Sequence, residues 1–118
     1  MAEVPTLSTG SLRRRRQVYV ETLMREARRI ADQLYRAGAE QVILFGSAAR
    51  GDARVGSDID LAVVWDSDQP LVERTVALYQ IIGLTAVPVD LIAIVPKTFQ
   101  DGRRTKFVEQ IMAEGRIL

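Results

Sequence analysis

The chain contains neither cysteine nor histidine, and the two absences remove much of the usual catalytic repertoire. Without Cys there is no disulfide framework, no thiolate metal site and no Cys nucleophile. Without His, zinc-hydrolase chemistry, Ser-His-Asp triads and imidazole general bases are excluded, so catalysis would rest on carboxylates, hydroxyls, Lys or Arg. Long apolar runs are missing too. Stretches such as residues 42–45 and 91–95 fall far short of the roughly 20 residues that span a bilayer. A dominant charge is also lacking: 16 basic against 15 acidic residues leave +1, which gives no global signal for nucleic acid. No apolar block opens the chain ahead of a cleavage site, so a secretory signal is not expected. These absences favour a soluble, cytoplasmic protein with no membrane contact.

What is present suits one α/β domain over residues 1–118, with residues 1–10 as a loose N-terminal arm. At 118 residues and 47% hydrophobic, the chain can bury about two thirds of its unfolded surface without staples. Apolar residues recur in steps of three and four at Val20, Leu23, Ala27, Ile30, Ala31 and Leu34, which predicts a helix over 12–37. Ser8, Thr9 and Ser11 are its candidate caps, and Gly38 supplies the stop. Strands are expected at 42–45, 58–65 and 87–95, with a short helix and loop across 46–57 and a helix over 71–82. A last helix is expected over 98–113, closed by Gly115 and followed by a short edge strand at 117–118. The order predicts a small β-sheet flanked by helices; periodicity leaves the strand directions open.

The chemistry concentrates between residues 46 and 60. Asp58 and Asp60 stand two apart at the start of an apolar strand, so their side chains leave one face. Carboxylates held side by side repel each other unless a cation lies between them. Asp90 interrupts a second apolar strand, and burying it alone would cost several kcal/mol. Placing all three on one rim lets Mg²⁺ offset their charge, since hard divalent cations bridge carboxylates to substrate phosphates. Gly46-Ser47 falls where a strand ends and a helix can begin. There the backbone can approach a phosphate, and the hydroxyl and free N–H groups can donate to it. A phosphate cradle beside a carboxylate cluster points to metal-assisted transfer from a nucleoside triphosphate, which needs no His.

Gly46-Ser47, ten residues, then Asp58-Ile59-Asp60 resembles the signature of the DNA polymerase β-like nucleotidyltransferase superfamily. Residues 20–118 resemble its minimal nucleotidyltransferase branch, including Val89-Asp90-Leu91 and the closing Glu114-Gly115. The resemblance implies that superfamily's fold, a small mixed sheet with flanking helices. It implies that Asp58 and Asp60 bind two Mg²⁺ ions, with Asp90 as third ligand and activator of the incoming hydroxyl. It further implies that Gly46 and Ser47 hold the triphosphate of ATP, with Arg50 at a recurrent basic position that helps hold phosphate. Ala48 departs from the pattern, since members often carry Arg or an aromatic residue there. Many such domains are antitoxins of HEPN ribonuclease toxins encoded beside them, and several transfer AMP from ATP to a tyrosine hydroxyl of the toxin. A chain of this length leaves little room for an acceptor-binding domain, which favours a protein acceptor. The competing readings are a non-catalytic antitoxin that masks its partner and a small-molecule adenylyltransferase.

Plainer readings stand beside each feature. Asp58 and Asp60 could begin a solvated strand, Asp90 could lie exposed on an edge strand, and Ser47 could cap its helix. The Arg13-Arg14-Arg15-Arg16 run fits the solvated end of a long helix better than a nucleic-acid site, because acidic residues interrupt it and no aromatic residues are interleaved for stacking. Docking of an acidic partner is its alternative use. Arg103, Arg104 and Lys106 are expected on the last helix, one of them able to face a triphosphate. Trp65 and Tyr79 are read as packing residues and Asp52, Asp66 and Asp68 as loop residues.

Overall fold

The apolar steps between Leu23 and Leu34 become the buried face of α1 (Thr9–Ala37) in the computed structural model, which describes residues 8–100, 102 and 104–118. Of the three candidate caps Ser8 is the one used: its hydroxyl accepts from the Ser11 amide at 3.1 Å. The expected arm is therefore shorter than 1–10. Thr9 and Gly10 are already helical, and residues 1–7 lie outside the described residues. Gly38 ends the helix in the left-handed region, with φ of 116°.

Four strands form one mixed sheet in the order β3-β2-β1-β4. Here β1 is Gln41–Phe45, β2 Ile59–Val64, β3 Val89–Ile94 and β4 Arg116–Ile117. The central β1 runs antiparallel to β2 and β4, and β2 runs parallel to β3. Alternation along each strand sorts the core into two layers. Val42, Leu44, Ile59, Leu61, Val63, Leu91 and Ala93 face α1 and α3 (Leu71–Ile82) through Leu23, Ile30, Leu34, Leu78 and Ile82. Ile43, Ala62, Val64 and Ile94 face the other way, against Ile111 of α4 (Lys106–Glu114). A five-residue helix, α2 (Gly46–Arg50), follows β1 directly. Among the described residues no helix is long and apolar enough to cross a membrane.

Several element boundaries differ from the sequence expectation. The second strand spans Ile59–Val64 and the third Val89–Ile94, each trimmed at both ends to six residues, and the edge strand lies one residue earlier, at Arg116–Ile117. The larger change is the last helix, which starts at Lys106 rather than 98. Pro96 opens a single 3₁₀ turn, Pro96–Phe99, and Gly102 breaks the path at φ 83°. Helix then restarts where the Thr105 hydroxyl accepts from the Val108 amide at 3.2 Å. Arg104 is consequently not helical, and its Nε donates to the Phe99 carbonyl at 2.8 Å. Lys106 is the first helical residue, while Arg103 lies outside the described residues. On α4 Val108 and Ile111 are buried, whereas Phe107 and Met112 are each 44% exposed.

Gly115 joins α4 to β4 at a point of close approach. Its amide donates to the Ile111 carbonyl at 2.8 Å, and a Cβ there would collide with that carbonyl and with the Ile43 side chain. Gly115→Ala is expected to lower unfolding free energy by about 1–3 kcal/mol, the usual cost of forced overpacking. Chemical denaturation checks this; a loss below about 0.5 kcal/mol, the ordinary surface range, would show that the α4–β4 junction is looser than described.

Candidate functional site

The site grows from the end of β1. Phe45 is extended, Gly46 turns into the left-handed region at φ 71°, and α2 begins at once. Ala48 and Ala49 are buried, and small side chains there let so short a helix lie against the sheet. Position 48 therefore faces the core. The first turn has no side-chain cap, so its amides remain free to donate. Ser47, partly buried, uses its carbonyl to accept from Asp52 N at 2.9 Å.

Strand register brings the acidic residues to this turn. Phe45 stands opposite Asp60, and Asp60 stands opposite Asp90. The three positions form a row across one end of the sheet, on the α4 face. Asp58 immediately precedes β2 and is exposed, as is Asp90, whereas Asp60 is partly buried. Gly46 presses so closely on this row that a Cβ would strike the Asp60 carboxylate. Glycine is thus demanded twice, by its backbone angle and by the carboxylate behind it.

The carboxyl of Asp60 has a pKa raised above its ordinary value, first by burial, then by the negative charges of Asp90 and Asp58, with Arg50 opposing. Such a set has the donor chemistry of a hard-cation site: oxygen ligands whose repulsion a divalent ion would relieve. It is not a preformed cage, because among the described residues no three acidic, His or Cys side chains are already gathered as a metal-holding group. Asp60 and Asp90 share one register position, and Asp58 lies exposed just ahead of β2. The residues fit a divalent cation in chemistry and placement, with side-chain closure left to binding.

Arg50 sits at the end of α2, 42% exposed, with Nε 3.2 Å from Asp52 and Nη1 3.4 Å from Glu114. Its guanidinium is near enough to the row to influence Asp60, yet two carboxylates already engage it. Asp52 therefore has a partner beyond the plain loop role expected of it. The arginine run also divides. Arg13, Arg14 and Arg15 are exposed, and Arg14 and Arg15 border a cleft of about 490 Å³ with Val18, Tyr19 and Val55. Arg16 is not part of a free solvated face, because it donates to the carbonyls of Ala53 at 2.9 Å and Gly51 at 3.3 Å. Two features escape a reading by sequence. Phe107 packs edge-on against Phe45 with centroids 5.8 Å apart, placing an exposed aromatic one register position from Asp60. Tyr19 and Tyr79 reach the main chain beside Asp58 and Asp90 (Ser57 O at 2.7 Å; Leu91 N at 2.9 Å), over separations that no local pattern reveals.

Comparison with known proteins agrees with this fold. A family model described as "Nucleotidyltransferase domain" matches residues 24–118. The fold is similar to that of a Sulfolobus solfataricus protein provisionally described as a nucleotidyltransferase, with TM-score 0.60, 23% identity and 84% of each chain covered. It is also similar to a structure provisionally described as a minimal nucleotidyltransferase, with TM-score 0.54 and 31% identity over 84% of this chain and 95% of the other. Among curated proteins none matches.

Two outcomes test the geometry without any substrate. A carboxyl whose folded pKa is raised contributes stability that is present below its unfolded value of 3.8 and lost as pH climbs through the folded pKa. Asp60→Asn should therefore raise Tm at neutral pH, with a gain that shrinks as pH falls toward 3.8. Thermal melts across that range check it, and an unchanged or lower Tm at neutral pH would mean that burial and the neighbouring charges do not disfavour the Asp60 carboxylate. Gly46→Ala should destabilise the fold by about 1–3 kcal/mol through its backbone angle and displace Asp60 as well. Unfolding measurements together with the Asp60 carboxyl resonance read both effects.

Proposed function

The chain belongs to the nucleotidyltransferase domain family, and on that premise we propose that it transfers AMP from ATP to a tyrosine hydroxyl of a partner HEPN ribonuclease, acting as that toxin's antitoxin. The observation that carries the catalytic part is the row of Phe45, Asp60 and Asp90 in register, with Gly46 closed against the Asp60 carboxylate. Gly46 and Ser47 hold the triphosphate with the uncapped first-turn amides of α2 and the Ser47 hydroxyl. Arg50 adds positive charge at the far end of that helix. Asp58, Asp60 and Asp90 are the residues that would hold Mg²⁺, and bound magnesium, as one ion or a pair, supplies charge neutralisation at the reacting phosphate.

Asp90 lies exposed on the edge strand β3, where an acceptor hydroxyl can approach from solvent. Its carboxylate orients that hydroxyl and accepts its proton as the oxygen attacks the α-phosphorus. The new phosphorus–oxygen bond forms while the bond to the β-phosphate bridging oxygen breaks, and pyrophosphate leaves. An acceptor site open on one side suits a hydroxyl presented by another macromolecule, which is why a protein tyrosine is preferred. The similarity to a structure described as a minimal nucleotidyltransferase supports the nucleotide-transfer part of this reading. Arg13, Arg14 and Arg15 are available as a docking surface for such a partner, and a role in direct nucleic-acid binding is not assigned to them.

Incubation with α-phosphate-labelled ATP, Mg²⁺ and a HEPN protein encoded beside this chain tests the reading. Label should appear on a toxin tyrosine with the wild type and fall by at least about 100-fold with Asp58→Asn or Asp60→Asn, as expected for loss of a principal charge-stabilising group. Neutralisation by all three proteins without label would replace the enzyme with a masking module. Label found on small hydroxyl compounds and never on the protein would transfer the activity to a small-molecule acceptor.

A further inference from the structure

The chain has three tyrosines, and each uses its hydroxyl on the main chain of another element. Tyr35 of α1 accepts from the Val42 amide at 2.9 Å, at the end of β1 away from the carboxylates. Tyr19 of α1 donates to the Ser57 carbonyl at 2.7 Å, one residue before Asp58. Tyr79 of α3 accepts from the Leu91 amide at 2.9 Å and donates to the Val89 carbonyl at 3.3 Å, the two residues that flank Asp90. Helices packed on the opposite face of the sheet therefore reach round to the backbone beside both outer carboxylates.

The three acidic positions differ in how firmly the sheet alone holds them. Asp60 is paired on both sides, to β1 and to β3. Asp90 lies on an edge strand with one neighbour, and Asp58 lies outside the strand altogether. Along a strand, the carbonyl of one residue and the amide two residues on point to the same side. Val89 and Leu91 thus present their groups to the open edge, where the single Tyr79 hydroxyl satisfies both in place of a further strand. Mutual repulsion pushes the outer carboxylates apart, and the two positions least restrained by the sheet are the two that tyrosines pin.

We propose that Tyr19 and Tyr79 are positioning residues that hold the backbone of Asp58 and Asp90 so that both carboxylates, with Asp60, reach one divalent cation. The proposal rests on the metal-dependent reading above and deepens it by assigning the restraint of the ligand set to two hydroxyls outside that set. Tyr35 provides an internal control, because it makes the same kind of bond at the far end of the sheet.

The test is binding of Mn²⁺ alone, followed by the paramagnetic signal of the free ion, at a temperature where circular dichroism shows every variant folded. Tyr19→Phe and Tyr79→Phe should each weaken apparent affinity about tenfold, the low end for partners that orient metal ligands, while Tyr35→Phe should stay within about twofold of wild type. Asp60→Asn reports on the underlying reading and should abolish binding. If Asp60→Asn loses the ion but Tyr19→Phe and Tyr79→Phe bind like Tyr35→Phe, the positioning role is overturned and the metal reading stands. If wild type and Asp60→Asn bind alike, the metal reading is overturned and the positioning role goes with it.

Discussion

Repulsion among negative charges at one end of a four-stranded sheet is the constraint on which the rest of the site depends. Register leaves Asp60 no escape, because Phe45 flanks it on one side and Asp90 on the other. Gly46 closes the remaining direction. The protein tolerates a carboxyl whose burial and neighbours disfavour its charged form, an arrangement that lowers stability until an opposite charge arrives. Such stored cost is common where binding has to be driven by the ligand's own charge.

The surrounding elements then acquire specific jobs. The N-terminal half of α1 buries little of its surface, yet it carries Arg16 and Tyr19, which tie down the loop from Gly51 to Ser57. That loop connects the phosphate-side turn to Asp58, so a helix that looks peripheral keeps the two halves of the site in step. On the other layer, α4 contributes Phe107 against Phe45, and Glu114 reaches Arg50. These contacts link the closing segment of the chain to the short helix α2. The family match over residues 24–118 includes both ends of this linkage, though it begins after Arg16 and Tyr19.

Much of this layout is written locally. Helical steps of three and four marked α1, apolar runs marked three strands, and Asp58 and Asp60 announced themselves as charges at the mouth of a buried strand. Asp90 stood out for the same reason. Strand direction was not legible, since a period of two is the same read either way; the parallel pairing of β2 with β3 is what sets Asp90 beside Asp60. The sequence places the start of α4 too early because Phe99, eight residues before Phe107, falls at a helical spacing from it, while Gly102 and the Thr105 cap, weaker signals, determine the boundary. Arg16 reads as one more solvated arginine, and its backbone partners lie 35 and 37 residues away. The tyrosine contacts near Asp58 and Asp90 depend on the same tertiary closure.

The central claim is that Asp60 is held against two like charges, and the titration of its own carboxyl tests it most directly. Followed by carbon-detected NMR, Asp60 should titrate above the ordinary value of 3.8. The midpoint should move part of the way down in Asp90→Asn and in Asp58→Asn, leaving the share due to burial, and should fall when Mg²⁺ is added to the wild type. A midpoint at the ordinary value, unmoved by either substitution and by the cation, would contradict the account.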